Sequence, residues 1–336
     1  MAIYRLEAKI IGRKAKDKTG KAIPGKQVSI VAKAAYRSGD KLKDEKTDKT
    51  YNYRSRGQEV AHAEILAPGN APAWLAAETT REGKRSLRER LWNAIEKAEK
   101  RSDSQLAREF IASLPKELSK EQRIELVRNW CQEEFVEKGF VVDFAVHKSK
   151  TEKNPHSHIL VALRPIEKEG FGKKPDTAGK FNGRGAAGIG AKNDLEAWRE
   201  SWEKHVNAAL ESAGRDERVD HRSLKDRGID RIPEDKKGPA ATAMEKKGIP
   251  TEAGRRLREV KMLNEVTPHL RDIEQRDGVS QYGMGAGGTW WERSVAAITR
   301  AAEQAREKVK GAWEKFLEYR EQAKQVTPAK PPVLDR

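Results

Sequence analysis

The sequence has 336 residues, with 68 Lys or Arg against 52 Asp or Glu, which gives a formal net charge of +16 at pH 7. Hydrophobic and charged residues each make up 36% of the chain, which allows one catalytic-sized domain but leaves long stretches too polar for a core. A single cysteine, Cys131, excludes an internal disulfide, and the chain contains neither a leader pattern nor an apolar run of membrane-spanning length. These features predict a cytoplasmic protein with no membrane insertion.

The positive charge is concentrated at the amino end. Residues 1–56 contain 16 Lys or Arg against 6 Asp or Glu. Such a concentration favours a polyanionic partner, most simply a nucleic acid. The alternative is a mixed-charge surface that serves solubility alone.

The first predicted elements are a strand and a short helix. Apolar and polar residues alternate from Ala2 to Ile10, which predicts a half-buried strand. Ser29 is a suitable cap for a helix that ends at Gly39, and Tyr36 then lies in its last turn. A strand at 60–66 and an amphipathic helix ending near Arg101 follow.

The middle of the chain predicts a sheet flanked by helices. Residues 105–114 fit either a helix or a strand, and we predict a strand. Ser119 and Gln122 form a capping-box pattern at the start of the next helix. The apolar runs 140–146 and 159–163 then predict neighbouring strands. We therefore expect an α+β fold, a two-layer sandwich with a central antiparallel sheet flanked by helices.

The carboxyl-terminal part contains a glycine-rich segment, a helix and a charged extension. Seven glycines between Pro165 and Gly190 predict a long mobile loop, followed by a helix at 194–213. We assign residues 1–250 to the main domain, 251–289 to a linker and 290–336 to a charged helical extension.

Three of the seven histidines lie close together in the sequence. His156 and His158 open a predicted strand, so the two-residue period puts both imidazoles on one face. His147 ends the preceding strand, and a hairpin would bring its ring beside them. Three neutral imidazoles leave coordination positions open, as in catalytic metal sites. The alternative is a pair of surface histidines that binds no metal.

A metal site in a basic protein indicates phosphate chemistry, which requires a nucleophile. Tyr36 is the best candidate, because it ends a helix beside Arg37 in the most basic part of the chain. Considered alone, Tyr36 would be better explained as a residue whose ring packs with Ala32 and Ala35.

Several segments together resemble one known family. They are Ala2-Ile-Tyr-Arg-Leu, Ala32-Lys-Ala-Ala-Tyr-Arg-Ser-Gly, Leu91-Trp-Asn-Ala-Ile-Glu with Glu99-Lys-Arg, Ala107-Arg-Glu-Phe, Asn154-Pro-His-Ser-His-Ile-Leu and Asp220-His-Arg-Ser-Leu. In this order they resemble the MobA/MobL relaxases of mobilizable and conjugative plasmids, the MOBQ class. The resemblance implies a single-strand DNA endonuclease whose tyrosine cleaves the nic site in an origin of transfer and stays bound to the 5′ phosphate.

The resemblance also implies roles for individual residues. Tyr36 falls on the family's nucleophile, and His147, His156 and His158 fall on its metal ligands. Glu109 falls on an acidic position beside the metal, where a carboxylate can orient a ligating histidine. The chain departs from the family at two positions. Ser157 replaces the hydrophobic residue between the paired histidines, which we expect to be tolerated if it is not buried, and Ile111 stands where some members carry a second acid.

The implied cofactor is Mg²⁺ or Mn²⁺, although three imidazoles also suit Zn²⁺ or Ni²⁺. The implied partners are single-stranded origin-of-transfer DNA, accessory relaxosome proteins and a type IV secretion coupling protein. Six basic residues are predicted to contact the DNA: Arg13, Lys14, Lys33, Arg37, Lys148 and Arg184. Three other functions stay open, namely a rolling-circle replication initiator, a His-metal phosphodiesterase and a non-catalytic nucleic-acid-binding protein.

Overall fold

The structure is a computed structural model that describes residues 4–16, 21–76, 86–148, 154–175, 192–229 and 231–277. The chain divides into two compact units, residues 1–221 and 222–336. The predicted DNA contact Arg184 and the helix expected in the 290–336 extension lie outside the described residues.

The described strands and helices follow one another through both units. The strands are β1 (Leu6–Gly12), β2 (Lys14–Lys16), β3 (Ala22–Gln27), β4 (Lys41–Asp44), β5 (Lys49–Asn52), β6 (Val60–Leu66), β7 (Gln105–Ser113), β8 (Phe140–His147), β9 (His156–Glu167) and β10 (Gly170–Phe171). The helices are α1 (Ile30–Ser38), α2 (Ala73–Ala76), α3 (Leu87–Ala98), α4 (Lys120–Cys131), α5 (Lys192–Ser212), α6 (Gly238–Lys246) and α7 (Glu252–Asp277), with a 3₁₀ helix at Arg54–Glu59 and a π turn at Gln132–Val136.

The first unit is built on an antiparallel sheet in the order β1-β7-β9-β8-β6, with β10 paired to β9. β2 pairs with β3, and β4 with β5, as two separate hairpins. This arrangement confirms the predicted α+β fold with a central antiparallel sheet flanked by helices. The segment 105–114, which fitted either type of element, is strand β7.

Helices cover both faces of the sheet, so the unit has three layers where the sequence predicted two. One face packs against α4 and α5, where Phe110 meets Trp130 edge-on at 5.4 Å between ring centroids. Trp198 and Trp202 of α5 belong to this cluster. The other face packs against α1 and α3, through a second cluster that contains Ile30 and Leu91. Because side chains alternate along each strand, every second sheet residue faces α1 and α3.

Helix α1 begins and ends as the sequence predicts. The Ser29 hydroxyl accepts a hydrogen bond from the Ala32 amide at 3.0 Å. Gly39 ends the helix in the left-handed conformation, with φ of 70°. Its buried side faces the sheet, and Tyr36 in the last turn stays 42% exposed.

The structure corrects the expected loop from Pro165. β9 continues to Glu167, because Ile166 is buried and its amide donates to the Gly139 carbonyl at 2.8 Å. Residues 176–191 of the expected loop lie outside the described residues.

The second unit contains α6 and α7. α7 occupies residues 252–277, part of the segment expected to be a linker. Val260 and Leu263 are buried three positions apart, as on one face of a helix, and the Asn264 side chain bonds to the Ile232 backbone. The first unit ends at residue 221, earlier than the residue 250 expected for the main domain. Among the described helices, none combines the length and apolar character needed to cross a bilayer.

Candidate active site

The alternation of the sheet places four predicted site residues on the face that packs against α1. Glu109 lies on β7, His147 ends β8, and His156 and His158 begin β9. Their neighbours in sequence, such as Phe110 and Ile159, point into the cluster on the opposite face. His147 and His156 are direct partners in the β8–β9 register. A slip of one residue would turn these side chains to the opposite face.

The three imidazoles form a compact triangle. Their ring centroids are 4.9 Å apart for His147 and His158, 5.3 Å for His147 and His156, and 5.2 Å for His156 and His158. One ligand nitrogen from each ring lies within 4.8 Å of the others. The hairpin therefore brings together the trio that the sequence analysis selected.

In each imidazole, one nitrogen meets an oxygen acceptor. His147 Nε2 donates to the Arg37 carbonyl at 2.6 Å, and His156 Nδ1 donates to the Asn154 carbonyl at 3.0 Å. His158 Nδ1 lies 3.1 Å from Glu109 Oε1. An acceptor on one nitrogen places the proton there and leaves the lone pair on the other nitrogen. This donor set fits a divalent cation.

The environment keeps His147 neutral. Burial lowers its pKa to about 4, and the positive charge of Arg56 contributes to the lowering. Burial also lowers the pKa of His156. Neutral imidazoles are the form that binds metal ions.

Glu109 is fully buried and remains ionised. Burial alone would raise its pKa, but the hydrogen bond from His158 and the charges of Arg37 and Lys9 lower the pKa to about 2. Arg37 forms an ion pair with Oε1, and Lys9 Nζ lies 3.1 Å from Oε2. The carboxylate thus connects a histidine of the trio to two cations.

Tyr36 lies at the end of α1 next to this cluster. The residue that follows it, Arg37, supplies the carbonyl that accepts from His147. The Tyr36 ring packs edge-on against Tyr53 at 5.2 Å, and the Arg56 Cζ atom lies 3.8 Å from its centroid. The fold therefore brings the end of α1 to the histidine trio across more than a hundred positions of sequence.

Ser157 differs from the expectation that it stays unburied. Its side chain is fully buried on the opposite face of β9, and its hydroxyl donates to the Ala145 carbonyl at 3.1 Å. A buried hydroxyl is tolerated there because it has a hydrogen-bond acceptor on the neighbouring strand.

Two of the residues predicted to contact DNA are buried. Arg13 is 3% exposed and donates to the Glu96 carboxylate and to the carbonyls of Glu99 and Arg101. Arg37 is buried against Glu109. Both guanidinium groups are held inside the protein by these partners, so neither offers a free surface cation to DNA.

Three other predicted DNA contacts are on the surface. Lys14, Lys33 and Lys148 are exposed. Although its side chain is exposed, the protein around it removes part of its hydration and so lowers the pKa of Lys33, and the nearby charge of Arg37 adds to this effect.

Two residues near the site could not be predicted from the sequence. Arg56 and Lys9 carry no sequence pattern that marks them, because their contacts with Tyr36 and Glu109 join residues far apart in the chain. A second group of potential ligands, also not predicted, consists of Glu203, Asp220 and His221. In that group the Glu203 carboxylate accepts from both the backbone and the ring of His221, which fastens α5 to the segment after it.

Comparisons with known proteins identify relatives over most of the chain. Residues 28–247 match the MobA/MobL family. A probable conjugal transfer protein TraA of Sinorhizobium fredii (strain NBRC 101917 / NGR234) is 33% identical over 275 residues, 76% of this chain and 25% of the relative. The mobilization protein MobL of Acidithiobacillus ferridurans is 32% identical over 272 residues, 74% of this chain and 65% of the relative. The chain spans about a quarter of the length of the TraA relatives.

A solved structure is also similar. Described as "Molecular Basis of Vancomycin Resistance Transfer in Staphylococcus aureus", it has a TM-score of 0.53 and 30% sequence identity, and the match covers 66% of this chain and 100% of that chain. The family match covers well over half of the chain and includes Tyr36, Glu109 and the three histidines. The chain therefore belongs to the MobA/MobL family of relaxases, which confirms the resemblance carried by its sequence motifs.

Proposed function

We propose that this protein nicks one DNA strand at the nic site of a plasmid origin of transfer, so that the strand can be mobilized by conjugation. The observation that carries the proposal is the contact between His147 Nε2 and the Arg37 carbonyl, which joins the histidine trio to the end of α1 beside Tyr36. Family membership supports the same function.

The proposed chemistry is a transesterification. The Tyr36 hydroxyl loses its proton and attacks the phosphorus of the scissile phosphodiester. A bond forms between Tyr36 Oη and phosphorus while the bond from phosphorus to the 3′ oxygen breaks, and that oxygen takes up a proton. One phosphodiester replaces another, so the 3′ hydroxyl can later reverse the reaction and rejoin the strand.

The histidine trio is proposed to hold Mg²⁺ or Mn²⁺. A divalent ion bound there would draw negative charge away from the non-bridging oxygens of the phosphate. His147, His156 and His158 would supply the ligand nitrogens, while Glu109 would keep the His158 ring in position. The exposed lysines Lys14, Lys33 and Lys148 would contact DNA phosphates.

The remaining proposals concern organisation and partners. The family match to residue 247 supports a relaxase domain of residues 1–250. We assign contacts with accessory relaxosome proteins or a type IV secretion coupling protein to the extension at 290–336, so its deletion should spare the nicking of oligonucleotides.

A covalent-adduct assay tests the function. The protein is incubated with Mn²⁺ and a single-stranded oligonucleotide that spans the origin of transfer of its own plasmid, and the products are separated on a denaturing gel. The proposal predicts an adduct that migrates with the protein and disappears in Tyr36→Phe.

Other outcomes identify the competing functions. Cleavage that continues unchanged in Tyr36→Phe would mean that water is the nucleophile, as in a His-metal phosphodiesterase. DNA binding without cleavage under several divalent metals would indicate a non-catalytic binding protein.

A further inference from the structure

The guanidinium of Arg56 lies against the proposed nucleophile. Its Cζ atom is 3.8 Å from the centroid of the Tyr36 ring, within the range of a cation–π contact. Tyr53 meets the same ring edge-on, with an interplanar angle of 86°. Tyr36 is therefore held by two side chains although 42% of its surface is exposed.

The backbone fixes the place of Arg56. The 3₁₀ helix that carries it passes so close to the end of α1 that a Cβ on Gly39 would lie 3.1 Å from the Gly57 Cα atom. At its other end, the Glu59 carbonyl accepts a hydrogen bond from the Lys148 amide at 2.9 Å. Arg56 is thus anchored both to the helix of Tyr36 and to the chain just beyond His147.

Among the described residues, only part of the Arg56 guanidinium has a hydrogen-bond partner. Nε and Nη2 donate to the Glu59 carboxylate at 3.1 and 2.7 Å. Nη1 is buried and meets no hydrogen-bond acceptor in the part of the chain that the structure describes. A buried donor without an acceptor is unfavourable, because it has given up its hydrogen bonds to water. Because Glu59 takes the Nε–Nη2 edge, Nη1 is left for an acceptor that a ligand would bring.

The proposed reaction brings such an acceptor. Attack by Tyr36 requires its oxygen to approach phosphorus to about 3–3.5 Å. The non-bridging oxygens of the phosphate would then lie near the hydroxyl end of the ring over which Arg56 lies. The hydrogen bond from the Lys148 amide to the Glu59 carbonyl also holds the 3₁₀ helix of Arg56 beside the end of β8, where His147 lies.

We propose that Arg56 binds the scissile phosphodiester, with Nη1 donating to a non-bridging oxygen while the face of the guanidinium holds the Tyr36 ring in place. This inference rests on the proposed function, because it needs a phosphodiester at Tyr36. Charge-assisted hydrogen bonds from arginine to phosphate are among the strong ones, and a fixed donor lowers the barrier where negative charge develops.

The first experiment compares rates of adduct formation in a single turnover. The full chain is mixed with Mn²⁺ and an excess of protein over the origin oligonucleotide, and the variants are Arg56→Ala, Arg56→Lys and the matched control Arg54→Ala. Arg54 is exposed and lies on the same 3₁₀ helix. We expect Arg56→Ala to be slower by about 10²–10³-fold, Arg56→Lys to be intermediate, and Arg54→Ala to match the wild type.

The second experiment separates phosphate binding from a structural role. The scissile phosphate is replaced by each stereoisomer of a methylphosphonate, which removes its negative charge. If Arg56 acts on that charge, the rate difference between wild type and Arg56→Ala shrinks to a few-fold for at least one stereoisomer. Equal slowing on the phosphodiester and on both methylphosphonates would overturn the proposal, since misfolding or a misplaced Tyr36 affects all three alike.

Two further results are decisive. An Arg56→Ala rate equal to that of the wild type overturns the role of Arg56 while leaving the relaxase proposal in place. Absence of any adduct with the wild-type protein overturns both proposals. A thermal unfolding scan of each variant checks that the fold is kept, and Arg56→Lys provides the charged comparison should Arg56→Ala fail to fold.

Discussion

His147 donates a hydrogen bond from Nε2 to the backbone carbonyl of Arg37 at 2.6 Å, across 110 positions of sequence. The contact has two consequences. It places the proton of His147 on Nε2 and leaves Nδ1 as the nitrogen available for a metal ion. It also fixes the last turn of α1, which carries Tyr36, against the end of β8.

Replacing His156 with alanine should abolish cleavage and leave DNA binding mostly intact. The substitution removes one imidazole of the trio, whereas DNA affinity depends on many dispersed phosphate contacts. Cleavage is followed by the adduct assay and binding by fluorescence anisotropy with a labelled oligonucleotide. His62→Ala is the matched control, because His62 pairs with Glu64 outside the trio. A parallel loss of cleavage and binding in His156→Ala would contradict this division of roles.

Glu109→Gln should weaken metal binding about 10–100-fold, because the neutral amide is a poorer partner for the His158 ring. It should also destabilise the fold by about 3–5 kcal/mol, since Arg37 is left buried without its carboxylate. Calorimetric titration with Mn²⁺ measures the affinity, and urea unfolding measures the stability. Glu121→Gln, an exposed position on α4, serves as the control. An unchanged Mn²⁺ affinity in Glu109→Gln would remove Glu109 from the metal site.

Gly39→Ala should cost more stability than Gly25→Ala, although both glycines have nearly the same positive φ, 70° and 69°. The left-handed conformation costs about 1–2 kcal/mol for alanine at either position. Only at Gly39 does the added Cβ meet backbone, at 3.1 Å from Gly57, whereas nothing lies within 4 Å at Gly25. The difference between the two variants in the free energy of urea unfolding measures the cost of the contact between the added Cβ and Gly57. Equal losses of stability in the two variants would mean that the 3₁₀ helix moves away from the added Cβ without cost.

The folded state should lose stability as the pH falls below 6.5, the ordinary pKa of histidine. The pKa of His147 is about 4 in the folded chain and 6.5 without burial, so the unfolded chain binds a proton first. Stability from this group is therefore complete above pH 6.5 and is lost progressively towards pH 4, by about 3 kcal/mol in all. Urea unfolding between pH 7.5 and 4 with a chelator present measures the slope. His147→Asn should flatten the slope, and an unchanged slope would assign it to other groups.

Much of the local structure follows from local patterns. The cap at Ser29 and the glycine at Gly39 predict α1, and the apolar runs around the histidines predict β8 and β9. The sequence did not predict α7, because the polar residues around Val260 and Leu263 conceal the apolar spacing of these two buried residues.

The roles of individual lysine and arginine side chains could not be predicted from local sequence patterns. Arg13 and Arg37 were predicted to contact DNA, yet both bind buried carboxylates. Arg56 gave no signal in the sequence, because its importance comes from its position over Tyr36. A lysine or arginine looks the same in a sequence whether its partner is a carboxylate or a phosphate.

The sequence by itself determined many of the strands and helices, the face that both paired histidines share, and the family, but it left residues 105–114 open between helix and strand. Those features depend on periodicity and on motifs within short windows. The tertiary structure alone decided that Glu109 is buried between His158 and Arg37 and that the end of α1 meets β8. Such contacts depend on strand order and register, which join residues far apart in the chain through packing and hydrogen bonds that no short window contains.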